Sequence, residues 1–383
     1  MTHPGLVLGL LPSIRGGLAE LAKTGQDSRL IDGYLRPYAA AFDEVRYFSY
    51  LDERLEAYVA DPDLLARLRV LRGGMLHPWL YAFLMPLRYR REMRDCSVLR
   101  VFQITGVIPA LIAKRLFGVP FVTTYGFWYS RLARSGLTGT LRAMLRAIVE
   151  RAGLAAADAV IVTTPELGRH VGERVSPERI HLIPNGVDTT LFRPMPRAVG
   201  EPKTVLYAGR LSEEKNLGAI LEAAAEVSQR IKLQVTFIGD GPERPRLEAR
   251  ARQLQVSVAF LPFVEHARLA ELMAQADVFV LPSFTEGHPK VLLEAMSCGL
   301  PCIASAVGGN LSIVDDGRTG LLFDPAVPGA LAACLLRVFA SEDFAHALGR
   351  GARAEIAARY DLRILVAREI DLLRRVARSR RAP

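Results

Sequence analysis

Leu281 to Gly309 reads LPSFTEGHPKVLLEAMSCGLPCIASAVGG, and this stretch decides the fold. The apolar run Asp277 to Pro282 (DVFVLP) predicts a buried parallel strand, and Cys302 to Ala306 (CIASA) predicts the next one. Stop signals define a short helix between them: Pro289 suits its first position, Gly299 the residue just past its end, and Pro301 blocks continuation. The stretch is therefore a βαβ unit. In a doubly wound sheet, ligands bind beyond the carboxyl ends of the strands, where the loop Ser283 to His288 falls. A helix beginning near Pro289 aims free backbone amides and about half a positive charge into that space, which suits an anion. Glu286 in the loop and Glu294 on the helix can then accept hydrogen bonds from hydroxyl groups flanking the anion, as a sugar and a ribose flank a diphosphate. Spacing alone favours a plainer reading, a loop Glu and an exposed helix Glu with no joint role.

The surrounding chain supplies context. At 383 residues it is long enough for two domains of ordinary size. Towards the N-terminus, GLVLGLL predicts a strand, followed by a turn containing Gly16 and Gly17 and by a helical pattern; glycine there lets backbone approach a ligand, and a plain tight turn reads equally well. Another strand is expected at Glu44 to Ser49. From Ser97 the rhythm is regular: SVLRVFQI, PFVTTYG and DAVIVTTP as strands, with VIPALIAKRLFG and a long pattern within Gly139 to Leu154 as helices. After the Pro-rich stretch RPMPRAVGEP, a second series begins with KTVLYA and continues through LQVTFIG, VSVAFLP, DVFVLPS and CIASA. The alternation predicts two Rossmann-like, doubly wound parallel-sheet α/β domains facing across a cleft, residues 1–190 and 191–365. Residues from Arg353 to Arg375 read as helical. The segment 366–383 is expected to pack back toward the first domain and to end in a disordered basic tail.

Net charge is +9, carried almost wholly by arginine. That balance fits anionic partners, while the dispersal of Arg over many helices and the lack of a binding motif argue against nucleic acid. No apolar run reaches the ~20 residues of a membrane span, and MTHPGLVLGLLPSIRGG lacks a signal-peptide pattern, so a cytoplasmic chain is expected. His77 to Arg94 (HPWLYAFLMPLRYRREMR) joins apolar and aromatic residues to arginines. It reads either as a core helix with a solvated basic end, or as an element that places Trp79, Tyr81 and Phe83 toward an anionic membrane surface at the cytoplasmic side. The four cysteines suggest neither a zinc site nor a disulfide framework.

At the end of KTVLYA stand Gly209, Arg210 and Leu211, followed by Ser212-Glu213-Glu214-Lys215-Asn216 at the expected start of a helix. Arg210 offers a planar fork for phosphate oxygens and Lys215 a compact point charge, a pair suited to a leaving diphosphate. Gly239-Asp240-Gly241 forms a Gly-rich turn at the same sheet edge. With Pro262-Phe263-Val264, it would frame a nucleotide base through backbone contacts, or serve only as a turn.

The set PNGVD (184–188), AGRLSEEKN (208–216), GDGPE (239–243) and PSFTEGHPKVLLEAMSCGLPCIAS (282–305) resembles the retaining nucleotide-sugar glycosyltransferases of family 4, which have the GT-B fold. The resemblance is dense over roughly residues 155–325 and includes the Glu-x7-Glu pattern of Glu286 and Glu294. It implies a donor site in which Arg210 and Lys215 hold the diphosphate, Glu294 the ribose and Glu286 the sugar hydroxyls. Gly287, His288, Pro289, Lys290 and Val291 would contact phosphates and sugar, with Gly16, Gly17, Gly209, Gly241 and Val264 completing the site. Catalytic roles fall to Glu286, Arg210 and Lys215. The implied co-substrate is a nucleoside diphosphate sugar, UDP- or GDP-linked, the acceptor a glycan or lipid-linked molecule, with no resident cofactor and no metal. The chain departs from the family with Gly287-His288-Pro289 where Gly-Phe-Pro is common, and with Tyr125-Gly126 where many members carry a histidine, so Tyr125 and Gly126 are the acceptor-side candidates. A noncatalytic nucleotide-sugar-binding protein on the same fold is the alternative.

Overall fold

The structure, a computed structural model, describes residues 5–14, 16–23, 27–74, 76–127, 137–196 and 200–380, leaving aside the side chains of 137–142. Arg15 of the Gly-rich turn, residues 197–199 of the Pro-rich stretch and the last three residues of the basic tail lie outside the described residues.

Contacts divide the chain into two units, Met1–Pro184 with Leu365–Pro383, and Asn185–Ile364. The first division falls six residues ahead of the boundary expected at residue 190, because the segment after Pro184 is tied into the second unit. The Asn185 amide donates to the His288 carbonyl at 2.7 Å, and Val187 pairs with Asp361.

The first unit holds a seven-stranded sheet in the order β3-β2-β1-β4-β5-β6-β7, with β1 Val7–Leu11, β2 Glu44–Phe48, β3 Leu68–Leu71, β4 Val98–Val101, β5 Phe121–Tyr125, β6 Ala159–Val162 and β7 Ile180–Leu182. The second holds six strands in the order β10-β9-β8-β11-β12-β13, with β8 Lys203–Ala208, β9 Leu233–Ile238, β10 Val258–Leu261, β11 Val278–Leu281, β12 Cys302–Ser305 and β13 Leu321–Phe323. Every pairing is parallel. Parallel strands buried on both faces explain why runs such as VFVL and CIAS are apolar throughout rather than alternating.

In each unit the strand order reverses beside its first strand, at β1/β4 and at β8/β11. The loops leaving the carboxyl ends of those neighbours are where a doubly wound sheet receives ligands.

Three strands escape the sequence reading: β3, β7 and β13. They are three or four residues long, lie at sheet edges, and two of them carry exposed or half-exposed positions that break the apolar run. The helical pattern at the C-terminus is two helices, Glu342–Arg359 and Leu362–Ser379. The break falls at Tyr360-Asp361, where Asp361 accepts from the Thr189 hydroxyl at 2.6 Å. From Leu365 onward the last helix packs in the first unit. Glu369 meets the buried Arg100 at 2.5 Å and the Tyr38 hydroxyl, and Arg380 donates to the Phe117 carbonyl at 3.0 Å. Arg380, at the start of the stretch expected to be disordered, is thus held, and residues 381–383 lie outside the described residues.

Candidate functional site

Two loops meet at the β8/β11 switch point. β8 ends at Ala208, and Gly209 turns the chain with φ +149°, a conformation open to glycine and costly for other residues. Arg210 follows with an exposed side chain, its carbonyl held by the buried Tyr207 hydroxyl at 3.0 Å. Lys215 closes a single 3₁₀ turn, Glu213–Lys215, and Asn216 at φ +51° leads into the helix Gly218–Val227. The expected helix therefore starts after Lys215 rather than before it. Asparagine tolerates this left-handed conformation, and its amide spans to the Pro282 carbonyl at 3.3 Å.

The loop after β11 is knitted to this one. Phe284 N donates to the Glu214 carbonyl at 2.9 Å, and Lys215 Nζ lies 2.7 Å from Glu286 Oε1. Ser283 Oγ donates to the same oxygen at 2.7 Å. Both contacts fall on Oε1, which fixes the direction of the carboxylate. Arg210, Lys215 and Glu286 are thereby gathered at one sheet edge.

Glycines permit the closeness. A Cβ at Gly239 would overlap the Gly209 carbonyl, and one at Gly241 the Leu211 carbonyl, so the β9 turn lies directly on the β8 loop. Gly308, at φ +42°, and Gly309 do the same beneath the β11 loop: side chains there would overlap the Glu286 and Gly287 carbonyls, and Gly309 N donates to the Glu286 carbonyl at 3.0 Å. Gly308 and Gly309 close the quoted stretch, yet nothing in sequence spacing assigned them a task. Val264, after β10, is half-buried, and its neighbour Phe263 is exposed.

The following helix is Lys290–Ser297, with Pro289 as the residue before it rather than its first. Gly299 takes φ +71°, as a residue just past a helix end does. Lys290 and Val291 are half-buried on its first turn, while Glu294 is 2% exposed, a carboxylate inside the unit rather than on its surface. His288 is 6% exposed, with its ring 5.6 Å from Tyr360. Burial, with a smaller contribution from the Lys290 ammonium, pushes its pKa down to about 3, and Nδ1 has no partner among the described residues. The imidazole is therefore a neutral group inside the loop rather than a side chain displayed on it.

In the first unit the Gly16-Gly17 turn follows β1, with Gly16 N donating to the Ser13 carbonyl at 2.7 Å. The space beside Gly17 is filled by Glu53, whose oxygens lie 2.9 and 3.0 Å from where a Cβ would stand. This buried carboxylate accepts from Ala19 N at 3.0 Å and from Ser49 Oγ at 2.5 Å, fixing the turn. Glu53 sits in DERLE and looks like a surface acid; burial alone distinguishes it. Tyr125, an acceptor-side candidate in the sequence, lies in the core. It is fully buried because β5 is central in the sheet, and its hydroxyl donates to Glu150 Oε1 at 3.1 Å. Gly126, half-buried, is the part of this pair nearer solvent.

Two family models match the chain: Glycosyltransferase Family 4 over residues 30–191, and Glycosyl transferases group 1 over residues 188–355. A D-inositol 3-phosphate glycosyltransferase from Geodermatophilus obscurus is 34% identical over 230 residues, 54% of this chain and 50% of that one. The chain spans about half the length of the curated relatives it matches. Among solved structures, sucrose-phosphate synthase from Thermosynechococcus elongatus superposes with a TM-score of 0.81 at 24% identity, covering 98% of this chain and 100% of that one. Anabaena HepE in complex with UDP-glucose gives 0.74 at 19%, covering 97% and 100%. The two models together run from residue 30 to residue 355, and the chain belongs to the glycosyltransferases that they describe, built on the GT-B fold.

Proposed function

We propose that the chain moves a hexose from a nucleoside diphosphate sugar to a glycan or lipid-linked acceptor with retention at the anomeric carbon. The observation that carries this reading is the gathering of Arg210, Lys215 and Glu286 at the β8/β11 switch point, with Lys215 Nζ 2.7 Å from Glu286 Oε1. In this reading Arg210 and Lys215 neutralise the diphosphate, Glu286 accepts from a sugar hydroxyl and Glu294 from the ribose. Gly209, Gly241, Val264 and residues 287–291 shape the donor pocket. A solved neighbour holds UDP-glucose, which supports testing UDP-sugars first.

The bond from the anomeric carbon to the β-phosphate oxygen breaks as the diphosphate departs. The acceptor oxygen forms its bond on the same face, and its proton passes to the departing phosphate oxygen. Negative charge develops on the diphosphate, so fixed cations aimed there lower the barrier without a resident metal. The neutral His288 imidazole, with its pKa near 3, is too weak a base to take that proton at neutral pH and acts in positioning the loop.

The test is a panel of UDP- and GDP-sugars followed by thermal shift, then mass spectrometry and NMR of products with D-inositol 3-phosphate, soluble glycans and polyprenyl-linked glycans. A stabilising donor and a product of unchanged anomeric configuration are expected. An inverted product, or no donor that stabilises the chain, overturns the reading. Donor binding without product on any acceptor favours a binding protein instead.

A further inference from the structure

The helix Pro78–Arg88 (PWLYAFLMPLR) carries ten apolar residues in eleven and no acidic one. One face of it, Tyr81, Ala82, Met85 and Pro86, is buried in the first unit. The opposite face presents Trp79, Leu80, Phe83, Leu84 and Leu87, each 37–57% exposed. Those five fall within one stripe at 100° per residue, so the exposed positions form a single face rather than scattered points. A helix apolar all round belongs inside a protein or against lipid, yet here half its surface is uncovered. Tyr81, expected on the sequence to join Trp79 and Phe83 at a membrane, belongs to the other face, its hydroxyl donating to the Arg72 carbonyl at 3.2 Å.

The exposure does not stop at this helix. Helix Ile108–Phe117 packs beside it and helix Leu137–Ala156 packs beside that, in one layer of the unit. The first adds exposed Leu116, the second exposed Met144, Leu145 and Ile148. Isolated exposed apolar residues need no explanation, but large side chains repeated over three neighbouring helices mark an interaction surface.

The charge at its border selects the partner. Arg88 ends the apolar helix, and exposed Arg90, Arg91 and Arg94 follow at once in Arg90–Arg94, with Arg115 on the next helix. The acids nearby are already engaged, Glu92 with Arg69 at 3.7 Å and Asp95 with Arg94 at 3.5 Å. A border of net positive charge complements a surface uniformly negative, which a protein face seldom offers and a bilayer with anionic headgroups does. Tryptophan on the stripe suits the headgroup boundary, with an apolar body and one polar N–H. We infer that this face of the first unit docks on an anionic lipid bilayer, with the apolar stripe entering the headgroup region and the arginines meeting lipid phosphates. Such a surface would bring the enzyme to a lipid-linked acceptor, although the docking itself rests on no assumption about the donor site.

The full chain, carrying Trp128→Phe so that Trp79 is the one tryptophan, is mixed with vesicles of phosphatidylcholine alone or with about one third phosphatidylglycerol. Sedimentation and Trp79 emission are followed. At least ~10-fold more binding to the anionic vesicles is expected, with a blue shift of Trp79 and release at high salt, since each arginine near such a surface contributes measurably to binding. Phe83→Glu with Leu87→Glu is expected to abolish binding while leaving circular dichroism unchanged, because both side chains point to solvent. Equal weak binding to both vesicles overturns the inference. So does binding that survives the double substitution, or a self-associated chain that the substitution makes monomeric while vesicles stay unbound.

Discussion

His288 shows how burial changes what a residue can do. In sequence it stands in a loop beside two candidate carboxylates, where the family resemblance implies contact with phosphates and sugar. In the structure the ring is inside, against Tyr360, and stays neutral far below its ordinary range. The unfolded chain takes up a proton near pH 6.5, whereas the folded chain refuses it until about pH 3. Stability from this group is therefore complete above pH 6.5 and is lost as the pH falls from there toward 3, at up to about 1.4 kcal/mol per unit. His288→Asn should show a shallower fall of the urea midpoint over that window than wild type. Equal slopes would remove His288 as the cause. Glu53 carries the complementary lesson: its local sequence is that of an exposed acid, and the distant contacts that bury it beside Gly17 leave no local trace.

Among the elements, those most legible were the long or doubly bounded ones. The unit from β11 through Lys290–Ser297 to β12 was readable because apolar runs, a proline and two terminal signals agreed. Strands β3, β7 and β13 were not, since three or four residues at an edge carry too little pattern. The Glu-x7-Glu spacing was visible, but the packing that sets Glu286 was not, because it depends on loops from three strands. Gly309 tests that packing. Gly309→Ala drives a methyl into the Gly287 carbonyl and must displace the loop that holds Glu286. A drop in kcat/KM of roughly 100-fold is expected, the scale of a displacement of about 1 Å at a site. Gly218→Ala, at an open position on the first turn of its helix, is the control and should leave kcat/KM unchanged. Equal effects of the two would show that the β11 loop does not depend on this contact.

On the scale of the whole molecule, the C-terminal helix carries the chain back into the first unit, and what periodicity did not resolve is the break at Tyr360-Asp361 that precedes it. Its residues from Leu365 belong to the first unit, and Glu369 places a buried charge between Arg100 on β4 and Tyr38. Removing one partner leaves the other charged and desolvated, so Glu369→Ala should cost about 3–5 kcal/mol in chemical denaturation. The double substitution Arg100→Met with Glu369→Leu, which removes both charges at similar volume, should recover most of that loss. No recovery would mean that the pair acts through packing rather than charge. Both units reverse strand order beside their first strand, at β1/β4 and β8/β11, and the residues assigned to the donor cluster at the second of these points. The central claim is that this edge binds a nucleoside diphosphate through Arg210 and Lys215. Calorimetric titration of UDP and GDP into wild type, Arg210→Ala and Lys215→Ala tests it most directly. One nucleotide should bind wild type, and each substitution should weaken it at least ~10-fold, since one charged phosphate contact contributes ~1.5 kcal/mol or more. Unchanged affinity in both variants would contradict the account.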